Sequence, residues 1–91
     1  MQFEWDPLKA DRNLSKHGVS FHEAATVLAD ALSFTYHDPD HSATEHRFIT
    51  VGTSRSGRVL MVAHTDRGEK VGIISARRTT SQERRHYEEG Q

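Results

Sequence analysis

Three strand-like segments joined by two short turns fill the second half of the sequence. Residues 47–53, 58–65 and 70–76 each contain several β-branched side chains, and residues 54–57 and 66–69 between them each contain a glycine. Glycine-containing connections of this length are typical of β-hairpins. The pattern predicts an antiparallel β-meander, against which the rest of the chain must pack.

A helix is predicted on the amino-terminal side of the meander. Asp6 followed by Pro7 matches an N-cap and the first helical residue, and Gly18 suits the left-handed conformation that ends many helices. Residues 3–5 are expected to form a short strand before this helix.

Two further helices are marked by the capping-box spacing, in which a hydroxyl residue is followed three positions later by glutamate. Ser20 and Glu23 begin the second helix, which we expect to end near Asp30. Thr80 and Glu83 begin the last helix. Two amino-terminal helices, an antiparallel β-meander and a carboxy-terminal helix make the predicted fold class α+β.

One more strand is predicted from the alternation of Phe34 and Tyr36, and a polar loop follows it over residues 38–44. Histidines and aspartates crowd this part of the chain: His37, Asp38, Asp40, His41 and His46. Their spacing matches no recognised set of metal ligands, so we expect neither a metal site nor a cofactor.

The composition fits one folded domain, and we expect residues 1–91 to form it. Because the chain has no cysteine, neither a disulfide framework nor a thiolate zinc site can support its small core, and a reducing compartment suits it. No apolar stretch approaches the roughly 20 residues that span a bilayer. We therefore expect a cytoplasmic protein without a membrane partner.

Charge is distributed unevenly along the chain. Residues 1–54 contain four basic and eight acidic residues, a net charge of −4, whereas residues 55–85 contain eight basic and three acidic residues, a net charge of +5. The basic segment would attract a polyanion such as RNA, and the acidic segment could bind a basic partner. Two ordinary solvated surfaces without any binding function would give the same counts of basic and acidic residues.

Pairing across the two turns predicts which side chains share a face of the sheet. The first turn sets Arg47 opposite His64, and the second turn sets Arg58 opposite Arg77 at the other end of the same face. The two polar ends are then about 20 Å apart along the strands, so only one of them can contact a given phosphate.

The end with Arg77 is the predicted active site. Metal-free cleavage of RNA requires cations against the charge that develops on the phosphate, and groups that move protons. Three more side chains are expected beside Arg77: Arg58, Arg84 and Tyr87. The alternative left open is structural, with Arg77 at the sheet edge and Tyr87 in the core.

His64 together with Arg47 forms the competing site, because an imidazole is a suitable general base near neutral pH. We rank it below Arg77, since a histidine within a strand is more often structural. Further cations are expected to bind RNA phosphates: Arg47, Lys70, Arg78 and Arg85.

Several segments resemble the BrnT family of bacterial toxins. They are Phe3-Glu4-Trp5-Asp6, Asn13, Lys16-His17-Gly18-Val19-Ser20-Phe21, Asp30, Ile73-Ile74-Ser75-Ala76-Arg77-Arg78, Glu83-Arg84 and Tyr87. The match extends over nearly the whole chain, and the combination of its W-D, K-H-G and I-S-A-R segments is specific. Arg77 is the arginine of I-S-A-R, and Gly72 stands where many members have an arginine.

The resemblance implies a RelE-like fold and a ribonuclease that arrests growth by blocking translation. It also implies inhibition by a small ribbon-helix-helix antitoxin of the BrnA type, with operator DNA bound only through the toxin–antitoxin complex. The residues and the resemblance together predict a metal-independent and ribosome-independent endoribonuclease. The alternative is a non-catalytic module that binds nucleic acid or protein through its basic end.

Overall fold

Five strands and three helices form the fold in the computed structural model, which describes residues 1–41 and 45–90. In chain order they are β1 (Gln2–Glu4), α1 (Pro7–His17), α2 (Phe21–Val27), β2 (Phe34–His37), β3 (Arg47–Thr53), β4 (Val59–Arg67), β5 (Lys70–Arg78) and α3 (Ser81–Glu89), with a short 3₁₀ turn at Pro39–His41. The predicted α+β class is confirmed. Residues 42–44 of the predicted polar loop lie outside the described residues.

The strands form one mixed sheet in the order β1-β5-β4-β3-β2. Strands β3, β4 and β5 are the predicted antiparallel meander, and β2 extends it by pairing antiparallel with β3. Strand β1 instead pairs parallel with β5, with Phe3 beside Val71. The sequence predicted β1 as a strand, but its alternation could not reveal a parallel partner far along the chain.

The ends of α1 are the predicted ones. The side chain of Asp6 accepts a hydrogen bond of 2.8 Å from the backbone N–H of Leu8, and Pro7 is the first helical residue. At the other end Gly18 has φ of 68° and donates its N–H to the carbonyl of Leu14 at 2.9 Å. Glycine adopts this left-handed conformation without the steric penalty that a β-carbon brings.

The capping box of α3 is complete, whereas that of α2 is half formed. Glu83 accepts from the N–H of Thr80 at 2.8 Å while its own N–H donates to the Thr80 hydroxyl at 3.1 Å. Ser20 accepts from the N–H of Glu23 at 3.0 Å, but the Glu23 carboxylate turns away towards Arg58. Helix α2 ends at Val27, three residues before the predicted end.

The predicted pairing of the strands is wrong. Arg47 lies opposite Thr65 instead of His64, because the first turn is one residue longer than predicted and includes Arg58. The backbone N–H of Ser54 donates to the carbonyl of Arg58 at 2.8 Å and closes this turn. A shift of one residue moves every side chain of a strand to the opposite face of the sheet.

A β-bulge adds a second shift in β5. Ala63 and His64 are neighbours in β4, but they lie opposite Ser75 and Ile73, so Ile74 is an extra residue in the partner strand. On either side of the bulge the alternation of β5 side chains is out of step by one residue.

Both faces of the sheet bury apolar side chains. Helices α1 and α2 cover the first, which we call the α1/α2 face, and its cluster is Val19, Phe21, Ala24, Val27, Leu60, Val62, Ile73 and Ala76. Helix α3 covers part of the other, the α3 face, where the cluster is Val51, Val59 and Tyr87 with Phe34, Ile49 and Met61 packed against it. The rest of the α3 face is open and can receive a ligand.

The buried side chain of Asn13 joins α1 to the sheet. Its amide donates to the carbonyl of Ala76 at 2.8 Å and accepts from the Ala76 N–H at 3.0 Å, as a neighbouring strand would do. A further bond of 2.9 Å runs to the carbonyl of Val19. At Ala76 the edge of β5 beyond β1 is therefore satisfied by one side chain.

Crossing a bilayer demands a length and an apolar content that no helix within residues 1–41 and 45–90 possesses.

Candidate active site

A groove of about 400 Å³ crosses the open part of the α3 face. We call it the arginine groove, and its lining residues are His17, Asp38, Arg47, Ile49, Met61, Ala63, Ser75, Ala76 and Arg77. The predicted register placed Arg47 and Arg77 at two sites too far apart to contact the same phosphate. The structure brings both of them to one groove.

The two arginines lie on opposite sides of a strip of small side chains that forms the floor of the groove. Arg47 lies beside Thr65, and Arg77 lies beside Met61, so they are four β4 residues apart, roughly 13 Å along the strand. Between them the register places Ala63 next to Ser75. These small side chains leave room for a ligand to approach the backbone between two cations.

The side chain of Arg77 is fixed by Glu83. Its two terminal nitrogens each lie 2.9 Å from a carboxylate oxygen of Glu83, and the arginine remains 39% exposed. The Arg77 guanidinium lowers the pKa of Glu83 to about 2, and Glu83 in turn raises the pKa of Arg77. A two-bond pair holds the plane of the guanidinium, so Arg77 presents a preset fork to an incoming anion.

Tyr36 lines the cleft between α3 and β2 together with Glu83, and it was not among the predicted site residues. It lies opposite Ile49 on the α3 face and is 46% exposed. Burial of part of the ring and the negative charge of Glu83 raise the pKa of Tyr36, against a smaller lowering effect of Arg77. The phenol therefore keeps its proton at neutral pH and can donate it in a hydrogen bond. The alternation with Phe34 was the available signal, but it was used only to predict a strand.

His17 is the second residue that the sequence did not assign to the site. It is the last residue of α1 and is half-buried where the helix meets the β5 edge of the arginine groove. A histidine at the end of a helix is favoured by the helix dipole alone, so its presence there needs no active site to explain it. Its placement next to a lysine and a left-handed glycine, Lys16 and Gly18, carried no sign of contact with a distant strand.

His64 does not belong to the groove. Its side chain is 5% exposed and lies on the α1/α2 face, where its ring stacks on Phe48 with centroids 5.9 Å apart. Its Nε2 atom is 2.8 Å from the hydroxyl of Thr50, and burial lowers the pKa of His64. The predicted pair of Arg47 with His64 is wrong, because the one-residue difference in register puts the two side chains on opposite faces.

Arg58 is not beside Arg77 either. Its Nε donates to Glu23 at 2.9 Å, a second guanidinium nitrogen also bonds that carboxylate, and a contact of 3.1 Å reaches the carbonyl of Gly18. Arg58 lowers the pKa of Glu23 to about 2. The predicted catalytic role of Arg58 is not supported, because this arginine ties the first hairpin turn to α2.

Tyr87 packs in the core, which was the alternative to its predicted role in the active site. This side chain is 6% exposed, and its hydroxyl donates to Asp30 at 2.6 Å and lies 3.0 Å from the hydroxyl of Thr53. A ring in this position cannot stack on a base. Tyr87 anchors α3 to the sheet.

The remaining predicted cations lie around the groove without lining it. Arg84 pairs with Glu88 at 3.5 Å and borders a separate recess of about 320 Å³ together with Arg78. Arg85 borders the apolar cleft between α3 and β2. Lys70 is exposed at the start of β5, opposite Arg67.

Across residues 1–41 and 45–90, with the side chain of His41 outside the described part, no group of three or more histidines, cysteines or carboxylates is arranged to hold a metal ion. The groove offers guanidinium groups and an imidazole, and the phenol of Tyr36 lies in the cleft between α3 and β2, which shares Met61 with the groove.

Comparisons with known proteins agree on one family. A family model described as the ribonuclease toxin BrnT of type II toxin–antitoxin systems matches residues 5–83. A crystal structure of the Brucella abortus ribonuclease toxin BrnT superimposes with a TM-score of 0.65 at 21% identity, covering 89% of this chain and 99% of that chain. A search of curated proteins gives no match.

Proposed function

The chain belongs to the family of BrnT ribonuclease toxins of type II toxin–antitoxin systems, and on this premise we propose that it is an endoribonuclease that cleaves RNA in the arginine groove. The observation that carries the proposal is the position of Arg47 and Arg77 on opposite sides of a floor of small residues. RNA is a polyanion, and cations on both sides of its path would hold its phosphates.

The proposed reaction is attack of a ribose 2′-oxygen on the adjacent phosphorus. The bond between phosphorus and the 5′-oxygen breaks, which leaves a 2′,3′-cyclic phosphate and a 5′-hydroxyl. One proton must leave the 2′-hydroxyl and one must reach the departing 5′-oxygen. Between these events negative charge builds up on the phosphate oxygens. Hydrogen-bond donors that are already in place stabilise this charge.

Arg77 is proposed to contact those phosphate oxygens, since Glu83 fixes its guanidinium and its side chain remains partly exposed. His17 is the imidazole that lines the groove and is proposed to accept the proton of the 2′-hydroxyl. Tyr36, whose raised pKa keeps it protonated, is proposed to donate to the departing oxygen.

Binding of the RNA backbone is assigned to Arg47 within the groove. The other predicted phosphate-binding cations, Lys70, Arg78 and Arg85, are exposed and would raise the local concentration of RNA without contacting the scissile phosphate.

No step of the proposed reaction requires a metal ion, because guanidinium groups supply the positive charge. We therefore propose metal-independent and ribosome-independent cleavage in the cytoplasm, which arrests translation and growth. The inhibitor is proposed to be a BrnA-like ribbon-helix-helix antitoxin, and operator DNA would be bound only by the complex of the two proteins. A RelE-like fold and a single domain over residues 1–91 complete the proposal.

Induction of the chain in bacteria tests the toxin function, and purified protein with a labelled RNA in EDTA tests the chemistry. Growth arrest and cleavage in EDTA are expected for the wild type, and Arg77→Ala should lose both. Good soluble expression without growth arrest or cleavage, but with RNA retained on the protein, would establish the alternative of a non-catalytic binding module.

A further inference from the structure

Two imidazoles meet at the base of the loop between β2 and β3. The Nε2 atom of His37 and the Nδ1 atom of His46 are 3.2 Å apart, and both side chains are exposed. Their ring centroids are 5.3 Å apart, with 52° between the ring planes. The rings are thus joined edge to edge through nitrogen atoms.

The backbone next to this pair is held by the pairing of β2 with β3. His37 is the last residue of β2, and His46 immediately precedes β3. The N–H of Asp38 donates to the carbonyl of Arg47 at 2.8 Å, which closes the base of the loop. The ring of Phe48 packs edge-on against His37 with centroids 5.7 Å apart. The two nitrogens therefore approach each other from backbone segments that the hydrogen bond between Asp38 and Arg47 holds together.

The distance of 3.2 Å between the two nitrogens is close to the spacing of two nitrogen ligands on one metal ion. Imidazole nitrogens bind zinc at about 2.0–2.1 Å, and in a tetrahedral arrangement two such nitrogens are about 3.3 Å apart. We propose, against the expectation from their spacing in the sequence, that His37 and His46 form a two-ligand binding site for a divalent transition-metal ion of the zinc class, with water in the remaining positions. Imidazole also suits copper and nickel, whereas magnesium and calcium prefer oxygen ligands.

Binding requires a change of tautomer. In the hydrogen-bonded pair one proton lies between the two nitrogens, on one of the rings. That proton moves through solvent to the other nitrogen of the same ring, and both facing nitrogens then offer a lone pair to the ion. No net proton is released from a neutral pair.

The site is separate from the proposed RNA chemistry and does not rest on it. His37 lies opposite Phe48 on the α1/α2 face, whereas its neighbour Tyr36 points to the α3 face. Two groove residues nevertheless adjoin the pair in sequence, Asp38 after His37 and Arg47 after His46. An ion bound here would restrain the segment that carries them.

Calorimetric titration of the full chain, free of any histidine tag, with Zn²⁺ alone at pH 7.5 tests the site. One ion is expected to bind, and His37→Ala and His46→Ala should each weaken binding at least tenfold. His22→Ala is the matched control, because this exposed histidine contacts Trp5 far from the loop and should leave binding unchanged.

A second measurement decides the case if an alanine variant fails to fold. In spectra of the wild-type protein, Zn²⁺ below one equivalent should shift the ring C–H resonances of His37 and His46 before those of His22 and His86. No binding at millimolar Zn²⁺, or equal binding by the folded His37→Ala and His46→Ala variants, would overturn the proposal. Equal perturbation of all the histidine resonances would do the same.

Discussion

Arg77 and Glu83 face each other across the junction of β5 and α3, with two nitrogen–oxygen contacts of 2.9 Å. Glu83 is also the residue that caps α3 through the N–H of Thr80. One carboxylate thus fixes the start of the last helix and the direction of the arginine that enters the groove. The helix cap and the proposed active site are built from the same side chain.

Arg77→Ala is expected to slow RNA cleavage about 10²–10³-fold, the usual effect of removing one donor to a developing negative charge. Arg77→Lys should recover only part of the rate, because an ammonium group lacks the two-bond fork. Single-turnover cleavage of a labelled RNA measures both. Arg84→Ala removes an exposed arginine outside the groove and should change the rate less than twofold. A rate for folded Arg77→Ala within threefold of the wild type would contradict the assignment.

Arg58→Ala is expected to affect stability instead of cleavage, because Arg58 binds Glu23 away from the groove. The cost should be roughly 1–3 kcal/mol, as for other hydrogen bonds to charged groups. The pKa of Glu23 in the fold, about 2, is below its ordinary value of 4.5, so its contribution is complete above pH 4.5 and is lost as the pH falls towards 2.

Urea unfolding of the wild type and of Glu23→Gln between pH 6 and pH 2.5 measures this dependence. The difference in unfolding free energy between the two proteins should shrink steadily below pH 4.5. A constant difference over that range would show that the ion pair is not the source of the pH dependence. A tenfold loss of cleavage in folded Arg58→Ala at neutral pH would return Arg58 to the active site.

His64 is expected to make folding depend on pH near neutrality. Burial lowers its pKa below 6.5, so the folded state binds fewer protons than the unfolded chain. The contribution of neutral His64 to the stability of the fold is therefore complete above pH 6.5. It falls as the pH drops below that value, by at most about 1.4 kcal/mol per pH unit. Denaturation of the wild type at pH 7.5, 6.5 and 5.5 should show this slope.

The variant His64→Gln keeps a polar side chain near Thr50 but cannot titrate, so the slope should become shallower while RNA cleavage at pH 7.5 changes less than threefold. An unchanged slope would assign the pH dependence to another group. A large loss of cleavage in the folded variant would return His64 to the active site.

Tyr87→Phe is expected to destabilise the protein by about 1–2 kcal/mol and to leave cleavage unchanged. The change removes the hydroxyl that donates to Asp30 at 2.6 Å and keeps the buried ring. Tyr36→Phe is the matched comparison, since it removes the exposed phenol beside Arg77 and should slow cleavage with little loss of stability. Thermal unfolding and single-turnover cleavage of the two variants separate the roles. The opposite pattern would place Tyr87 in contact with RNA.

Local chemistry made the ends of α1 and α3 predictable from the sequence. Asp6, Pro7 and Gly18 each have a backbone preference that acts within a few residues, and so does the pair of Thr80 with Glu83. The class of fold followed from these helices and the meander. These features need no information about distant parts of the chain.

The face on which each strand residue lies was not predictable in the same way. In β4 both alternating sets are apolar: Leu60 and Val62 enter the α1/α2 cluster, while Val59 and Met61 pack on the α3 face. Because helices cover both faces, alternation gave no preference for either register. The turn is one residue longer than predicted, and its length sets the register of β3 with β4. In that register Arg47 lies in the groove with Arg77 instead of beside His64.

The space above Gly72 is filled by a side chain of the neighbouring strand. A β-carbon added at Gly72 would lie 2.9 Å from the guanidinium carbon of Arg67, so the arginine of β4 occupies the space above the glycine of β5. Arg67 is held there by Glu45, at 3.0 Å. Only the paired strands, and not the sequence of either one, reveal that a guanidinium lies at this place.

The extra residue Ile74 lets one strand serve two different neighbours. In an uninterrupted strand Ile73 and Arg77 would have the same orientation, and either the arginine would be driven into the apolar cluster or the isoleucine would be left in water. The bulge reverses the side-chain alternation between them. Ile73 and Ala76 therefore both face the helices, while Arg77 faces the groove. Deleting a single residue here would exchange the inside and the outside of half of β5, and substitutions at Ile74 would be tolerated far better than a change in the length of the strand.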